Sequence, residues 1–269
     1  FVLAYAEMSR PVTKDKPQPS TWEYVKKRLI TVYPTYVLSV VISVFQRTGG
    51  SLGSWLALPL SVFLMQSWLP TCWPTADADA SSFPRAGWEC APFQWGNTGW
   101  FMSVLVIYWV TLRPLARWVR TASLRTCAIV MCACWCFSLV AAPLGLLGVE
   151  AEPWLTVALQ FGPLGYAHVF LCGVAAARLF ILVTEAARAD PSAPSALPFV
   201  CRFGCCLGYL LFAAQVVAHA LALTTGAVTF YETRSFYWVM HNGGLLPVMV
   251  LIILGSACGA DPIAKHVFQ

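Results

Sequence analysis

Long apolar runs separated by polar connectors dominate the sequence. A helix needs about 20 apolar residues to cross a bilayer. Runs of that kind lie at 29–46, 53–70, 99–118, 124–148, 162–185, 200–226 and 236–257, and 1–7 is typical of a helix end. The pattern predicts an all-α fold: a polytopic transmembrane helical bundle of about seven complete spans, with an N-terminal helix remnant, in a single domain over 1–269.

The connectors differ in length and chemistry. The longest is a polar loop at 71–98, which holds Cys72 and Cys90. These two cysteines could form a disulfide if the loop faces an oxidising compartment. The chain opens on FVLAYAE rather than on Met, and this opening is typical of the last turns of a helix. We therefore expect a fragment whose first helix is missing.

Composition agrees with a membrane protein. The chain has 269 residues, 58% hydrophobic and only 11% charged, whereas soluble domains carry about 25% charged residues. A net charge of +5 is typical of positive flanks of helices and does not indicate nucleic acid as a partner. The cysteines of the CACWC run lie in an apolar segment without a nearby His or carboxylate, so we expect them to pack rather than to bind a metal.

The basic connectors give conflicting predictions of topology. The positive-inside rule makes both 8–28 and 117–125 cytoplasmic. Three candidate spans separate them, yet two connectors on one side require an even number. Either one span does not fully cross, or part of 71–98 re-enters the membrane, or the second connector breaks the rule. We prefer an irregular crossing around 86–103.

The first candidate site is the basic stretch KKR before a Tyr-Pro pair. Arg28 at a helix mouth can bind an anion through two hydrogen bonds, and Lys27 adds positive potential. The alternative interpretation is that these residues are ordinary positive-inside anchors, which also attract anionic lipids.

The second candidate site is the stretch WGNTGWFMS. Asn97 is a good N-cap residue, and Ser103 lies about one turn inside the helix that follows. A capped helix start at membrane depth presents a positive dipole end to a carbonyl oxygen or a phosphate. An interfacial aromatic belt with a cap is the alternative interpretation.

Histidines in apolar segments are the third candidate. His168 lies in the first turns of a predicted span, and His219 and His241 lie in others. An ionisable residue at membrane depth is a functional candidate, and His can act as a general base. The alternative is a histidine that only bonds to a neighbouring helix.

Five segments in order resemble the membrane acyltransferase-3 family. They are FVLAYAE with KRLITVYPTY, then FLMQSWLP, NTGWFMSV, FGPLGYAHVFLCGVAAARLF and HNGGLLPVMVLIILG. Together they cover nearly the whole chain. The Tyr-Pro and Trp-Ser segments are the more specific of these matches.

The resemblance implies an integral membrane enzyme of about ten spans, of which this chain would lack the first and the last. It would transfer an acyl group, often acetyl, from a cytoplasmic acyl-CoA co-substrate to a hydroxyl of a carbohydrate or lipid acceptor, with no bound cofactor and no metal. Lys27 and Arg28 would bind the donor, and Tyr33, Asn97 and Trp100 would line the site. The family's catalytic His would precede Phe1, which leaves Ser103 and His168 as candidates here.

Three positions depart from the family pattern. Thr31 stands where the family has a second Arg, Leu105 where it has a Glu, and Val169 at the place of another Glu. These losses keep a second function open: a catalytically inactive homologue that acts as a transporter or binds a lipid or acyl ligand.

Overall fold

The computed structural model describes residues 1–10, 20–46, 52–68, 71–74, 88–93, 99–140, 153–189, 197–225, 240–259 and 261. The helices are α1 Val2–Met8, α2 Thr21–Gln46, α3 Leu52–Val62, α4 Gly99–Val119, α5 Leu124–Leu139, α6 Pro153–Gln160, α7 Pro163–Ala189, α8 Leu197–Thr224 and α9 Leu246–Ala257. A 3₁₀ turn covers Ala91–Phe93, and a π-helical turn covers Met240–Gly244. Strands β1 Cys72–Pro74 and β2 Trp88–Cys90 form an antiparallel hairpin.

The described residues are mostly helical, as the pattern predicts, and the small hairpin is the exception to an all-α fold. Three described helical runs are long and apolar enough to cross a membrane: Thr21–Gln46, Gly99–Val119 and Val157–Ala189. Shorter apolar helices are Leu124–Leu139, Arg202–Ala218 and Leu246–Ala257. The count of about seven spans stays a prediction.

Helix α2 begins eight residues before the predicted span at 29–46, at Thr21. A capping box explains this start. The Ser20 N–H donates to Glu23 Oε2 at 2.7 Å, and the Glu23 N–H donates to Ser20 Oγ at 3.1 Å. Two N–H groups without a helical partner are thus satisfied, which stabilises the first turn. Lys27 and Arg28 therefore lie on the helix and not in a connector before it.

Helix α3 differs most from prediction. The apolar run 53–70 predicts one span, but the α-helix ends at Val62 and Leu64 takes a positive φ of 57°. At about 1.5 Å per residue, α3 is about 16 Å long, against about 30 Å for the hydrocarbon core of a bilayer. The polar residues Gln66 and Ser67 follow in a turn and are buried. The run contains no charged residue, yet only its first part is α-helical.

The predicted disulfide is present. Cys72 is bonded to Cys90, and the two residues face each other across the hairpin. Trp73 lies directly on α3, because a Cβ added at Gly53 would stand 1.4 Å from its indole nitrogen. Only glycine at position 53 leaves room for this ring, so the hairpin is packed against the first turn of α3.

The chain divides into two compact units. Unit 1 comprises Phe1–Arg10, Leu115–Pro143 and His168–Gln269, and unit 2 comprises Pro11–Pro114 and Leu144–Ala167. The core of unit 2 is formed by Tyr36, Val40, Ala57, Leu64 and Ala91.

In unit 1, α8 and α9 pack closely through small residues. A Cβ at Gly208 would stand 2.8 Å from Ile252 Cγ1, and one at Gly204 would stand 3.1 Å from Leu251 Cδ2. Two glycines four residues apart let helices approach closely, as is typical of helix pairs in membranes.

Candidate functional site

The first candidate site in unit 2 is a cluster of two arginines around one tyrosine. The guanidinium carbon of Arg28 lies 5.5 Å from the centre of the Tyr24 ring, and that of Arg113 lies 5.3 Å from it. Both distances fit cation–π contacts. The two guanidinium carbons are therefore at most about 11 Å apart. We call Tyr24, Arg28 and Arg113 the arginine cluster.

The two arginines differ in exposure. Arg113 is fully buried at 0% relative exposure, whereas Arg28 and its neighbour Lys27 are exposed. A buried guanidinium is costly unless aromatic faces or anions compensate for its lost hydration. Arg113 is thus a buried cation of unit 2, and it lies close to the exposed cations Arg28 and Lys27. An anion that reached Arg28 could also be drawn toward Arg113.

Thr31 does not contribute a cation or an inward-facing group. Its hydroxyl donates to the carbonyl of Lys27 at 3.0 Å, within the same helix, and the residue is exposed. The second arginine near Arg28 comes instead from α4, as Arg113. Sequence reasoning missed this role, because Arg113 lies near the end of the predicted span at 99–118 and belongs to no recognisable motif.

The second candidate site is a polar cluster around the end of α3. The last carbonyls of a helix have no N–H partner within the helix. Here two tyrosines of α2 supply hydroxyl donors: Tyr33 to the carbonyl of Val62 at 2.9 Å, and Tyr36 to the carbonyl of Ser61 at 2.7 Å. The Gln66 amide nitrogen donates in turn to the Tyr36 hydroxyl at 3.1 Å.

The same turn is bonded to the first turns of α4. The Ser67 N–H donates to Ser103 Oγ at 3.2 Å, and the Ser67 hydroxyl donates to the carbonyl of Trp100 at 3.2 Å. The Trp68 indole N–H donates to the carbonyl of Ser103 at 2.8 Å. Ser103 thus fixes the turn against α4. Its catalytic role stays a prediction. We call the residues that make these bonds the tyrosine–glutamine cluster; they are Tyr33, Tyr36, Ser61, Val62, Gln66, Ser67, Trp68, Trp100 and Ser103.

The Trp100 ring joins a further segment to this cluster. It stacks on Tyr166 at 5.4 Å between centroids and contacts Phe161 edge-on at 5.1 Å. Four segments far apart in sequence therefore meet in unit 2: the Tyr-Pro segment, the Gln-Ser-Trp segment, the Trp-Ser segment and the start of FGPLGYAH. Asn97, predicted to cap α4, lies outside the described residues.

Leu105 is half-buried on α4 and offers no carboxylate. The polar side chains of the tyrosine–glutamine cluster are hydroxyl, amide and indole groups, so its chemistry is that of neutral hydrogen-bonding groups. Oriented hydroxyl and amide groups can position a substrate. A proton acceptor for a hydroxyl would have to come from another part of the protein.

His168 belongs to unit 1. It is buried, and its Nε2 donates to the carbonyl of Asn242 at 2.6 Å, while the Phe137 ring lies 5.1 Å away. Nδ1 has no hydrogen-bond partner among the described residues. Val169, the next residue, packs into an apolar cluster with Cys134 and Cys172. The side chains of His219 and His241 lie outside the described part of the chain.

The backbone that receives the His168 bond depends on a glycine. Gly243 has a φ of 94°, and an added Cβ would stand 2.9 Å from both Ser138 Oγ and Val169 Cγ2. Gly243→Ala should lower the free energy of unfolding by about 2 kcal/mol, through backbone strain and overpacking. Thermal unfolding in detergent would measure this loss.

Gly259→Ala is the matched control, because Gly259 also has a positive φ, of 66°, but nothing lies within 4 Å of its Cβ position. Gly259→Ala should lower the free energy of unfolding only by the contribution of backbone strain, without that of overpacking. Equal losses for the two variants would contradict the close packing of Gly243.

Comparison of the chain with protein-family models gave no match, and comparison with curated proteins and with solved structures gave none either.

Proposed function

We propose that this chain is part of an integral membrane acyltransferase. It would move an acyl group, most simply acetyl, from a cytoplasmic acyl-CoA to a hydroxyl of a carbohydrate or lipid acceptor. The ester bond would form at the acceptor oxygen as the thioester C–S bond breaks, and the hydroxyl proton would leave with the coenzyme A thiol. One observation carries the proposal: segments on which the family resemblance rests meet in unit 2 through direct contacts.

The arginine cluster supplies the donor-binding end of this proposal. Phosphate groups of a coenzyme A donor need cations with several directed N–H donors, and arginine provides them. Arg28 and Arg113 share one tyrosine ring, and Lys27 is on the next position of the helix. In this proposal Arg113 takes the part that the family resemblance would give to an arginine at position 31.

The spacing of the two clusters supports a path between them. Helices α2 and α4 run antiparallel, because Tyr24 meets Arg113 while Tyr36 lies beside Gly99. The helical rise puts about 18 Å between Tyr24 and Tyr36 along α2, and about 21 Å between Gly99 and Arg113 along α4. This separation is comparable to the extended pantetheine arm of coenzyme A. Phosphates at the arginine cluster would thus bring the thioester near the tyrosine–glutamine cluster.

A topology consistent with both basic connectors follows from the short α3. In this topology α2 and α4 would each cross the membrane once. Helix α3 would enter the membrane and return to the same side through the turn at 63–68. The number of membrane crossings between the two basic connectors would then be even. Irregular backbone at membrane depth is tolerated where protein covers it, and this turn is held by Tyr36 and Ser103. The hairpin at 72–90 would then face the oxidising side, as its disulfide requires.

The second candidate function is a membrane protein that binds an acyl ligand or transports it without chemistry. It is favoured by Leu105, which offers no carboxylate, and by Thr31, which is exposed and bonded to its own helix. This candidate predicts coenzyme A binding without turnover.

The test incubates the whole protein, in native membranes, with acetyl-CoA labelled in the acetyl group. Transfer of label to protein, lipid or carbohydrate is expected, and Arg28→Ala should reduce it strongly. Lys26→Ala is the matched control, because Lys26 is also an exposed cation of α2 but does not belong to the arginine cluster.

No transfer by a preparation shown to be folded would overturn the acyltransferase proposal. If that preparation still bound coenzyme A, the second candidate function would replace it.

A further inference from the structure

Two polar atoms in the tyrosine–glutamine cluster are buried without partners among the described residues. Gln66 is 1% exposed and its Oε1 accepts no hydrogen bond there, and Ser61 is 0% exposed with an unpaired Oγ. Buried polar groups are nearly always hydrogen-bonded, and leaving one unpaired costs free energy. Two such atoms on residues that contact the same tyrosine hydroxyl indicate a place for a polar ligand.

The hydrogen bonds of Tyr36 determine which atom of the Gln66 amide lacks a hydrogen-bond partner among the described residues. Tyr36 has a single hydroxyl proton, and it donates that proton to the carbonyl of Ser61. Its oxygen must therefore accept from Gln66, so the amide nitrogen faces Tyr36. Gln66 Oε1 is then the free atom, and it can only accept. Its partner must carry an O–H or N–H donor.

The ligand that suits this place is neutral. The cluster contains no charged side chain that would pair with an anion, and the arginine cluster lies about 18 Å away along α2. Gln66 Oε1 accepts, whereas the Ser61 hydroxyl can both donate and accept. Hydroxyl groups of a polyol match both atoms, because each hydroxyl also donates and accepts.

The position is also at the beginning of a long helix. The Gln66 amide nitrogen lies 3.0 Å, and the Tyr36 hydroxyl 3.3 Å, from the place a Cβ would take at Gly99, the first residue of α4. The N-terminal end of a helix carries positive partial charge. A hydroxyl oxygen bound there would lie near that charge while its proton is held by Gln66.

We propose that Gln66 Oε1 and Ser61 Oγ form a subsite that binds a neutral polyol through its hydroxyl groups. The proposal rests on the proposed function in one respect: that the polyol is the acyl acceptor. Gln66 then acts as a positioning residue that holds the acceptor hydroxyl, and the donor is held separately at the arginine cluster.

The binding test uses the whole protein in phosphatidylcholine nanodiscs and octyl β-D-glucoside below its micelle concentration. The glucoside should raise the Tm of the wild type in a saturable way. Its fully O-methylated derivative has the same chain but no hydroxyl donor, and it should leave the Tm unchanged. No shift with the glucoside, or equal shifts with both compounds, would overturn the subsite and would indicate that only water occupies it.

Two variants assign the binding to these atoms. Gln66→Leu should weaken glucoside binding about tenfold or more, since one hydrogen bond to a buried acceptor is lost. Ser61→Ala should weaken it less, and this variant should fold because Ser61 Oγ has no partner among the described residues to leave unpaired. Gln46→Leu and Ser43→Ala are the controls, because Gln46 is exposed on α2 and Ser43 is half-buried there with its hydroxyl donating to the carbonyl of Ser39 in the same helix. Unchanged binding in both Gln66→Leu and Ser61→Ala would overturn the proposal.

A transfer assay with labelled acetyl-CoA separates the two proposals. If glucoside binds through Gln66 but no label is ever transferred, the subsite stands and the acyltransferase proposal fails. If label is transferred and Gln66→Leu leaves the KM for the glucoside unchanged, the acyltransferase stands and the subsite fails. If Gln66→Leu raises the KM for the glucoside and leaves the KM for acetyl-CoA unchanged, the result supports both the subsite and the acyltransferase proposal.

Discussion

Under the acyltransferase proposal, replacing Arg113 with methionine should raise the KM for acetyl-CoA about 30-fold and leave the protein folded. Hydrogen bonds to charged groups contribute about 2 kcal/mol each, which corresponds to about 30-fold in affinity. Methionine keeps an apolar stem of similar length, but the contacts of the fully buried guanidinium, among them the one with the Tyr24 ring, are lost with the charge, so the Tm should fall. Steady-state kinetics and thermal unfolding of the same preparation measure the two effects.

Two further variants make this result specific. Arg113→Lys should restore part of the affinity, because lysine binds phosphate as a point charge without the planar fork. Arg117→Met removes an exposed cation one turn further along α4 and should change the KM little. An equal increase for Arg113→Met and Arg117→Met would mean that the two cations act only through general surface charge.

The double variant Cys72→Ser with Cys90→Ser should lower the free energy of unfolding by about 3 kcal/mol. The two cysteines are separated by 18 residues, and closing a loop of that size restricts the unfolded chain by about this amount. The hairpin also places Trp73 on Gly53 at the start of α3, so loosening it should disturb the packing of α3. Chemical denaturation in detergent measures the loss.

Thiol labelling provides the independent measurement. In the wild type, a maleimide reagent should reach Cys72 and Cys90 only after a reductant is added. Cys136→Ser is the matched control, because Cys136 is a free, exposed cysteine and its removal should leave stability unchanged. Labelling of Cys72 without reductant would contradict the disulfide and, with it, the oxidising side that we propose for this hairpin.

Helices whose ends coincide with changes in polarity are predicted well from the sequence. Helix α4 begins at Gly99 as predicted, and α7 and α8 begin within three residues of the predicted runs. The start of α2 was missed because polarity alone favours a connector there. A local pair of hydrogen bonds between Ser20 and Glu23 is what extends the helix.

The end of α3 could not be predicted in this way. The run at 53–70 is mostly apolar and contains no charged residue, so hydropathy favours an uninterrupted helix. The interruption is stabilised by Tyr33 and Tyr36, which lie more than 20 residues earlier in the chain and supply donors for the carbonyls of Ser61 and Val62. The preferred irregular crossing at 86–103 stays a prediction, and in the described part of that segment α4 is regular from Gly99 onward.

Some residues of the candidate sites could be found from the sequence, whereas others could be found only from the structure. The sequence was sufficient to identify four residues that lie in recognisable segments: Arg28, Tyr33, Trp100 and Ser103. Arg113 and the free oxygen of Gln66 carry no local signal, since each matters only through a residue on another element: Tyr24 for Arg113 and Tyr36 for Gln66. Such pairings depend on side-chain positions in space.

The sequence by itself determined that this chain is mostly helical with long apolar helices, where most of its helices lie and which cations stand near Tyr-Pro. Those properties follow from hydropathy and charge along the chain, which are local. Only the tertiary structure decided that α3 stops at Val62, that Arg113 joins Arg28 around Tyr24, and that Gln66 keeps one acceptor unpaired. Each of these depends on hydrogen bonds or ring contacts between residues far apart in sequence, and buried polar groups find such partners only once the helices have packed.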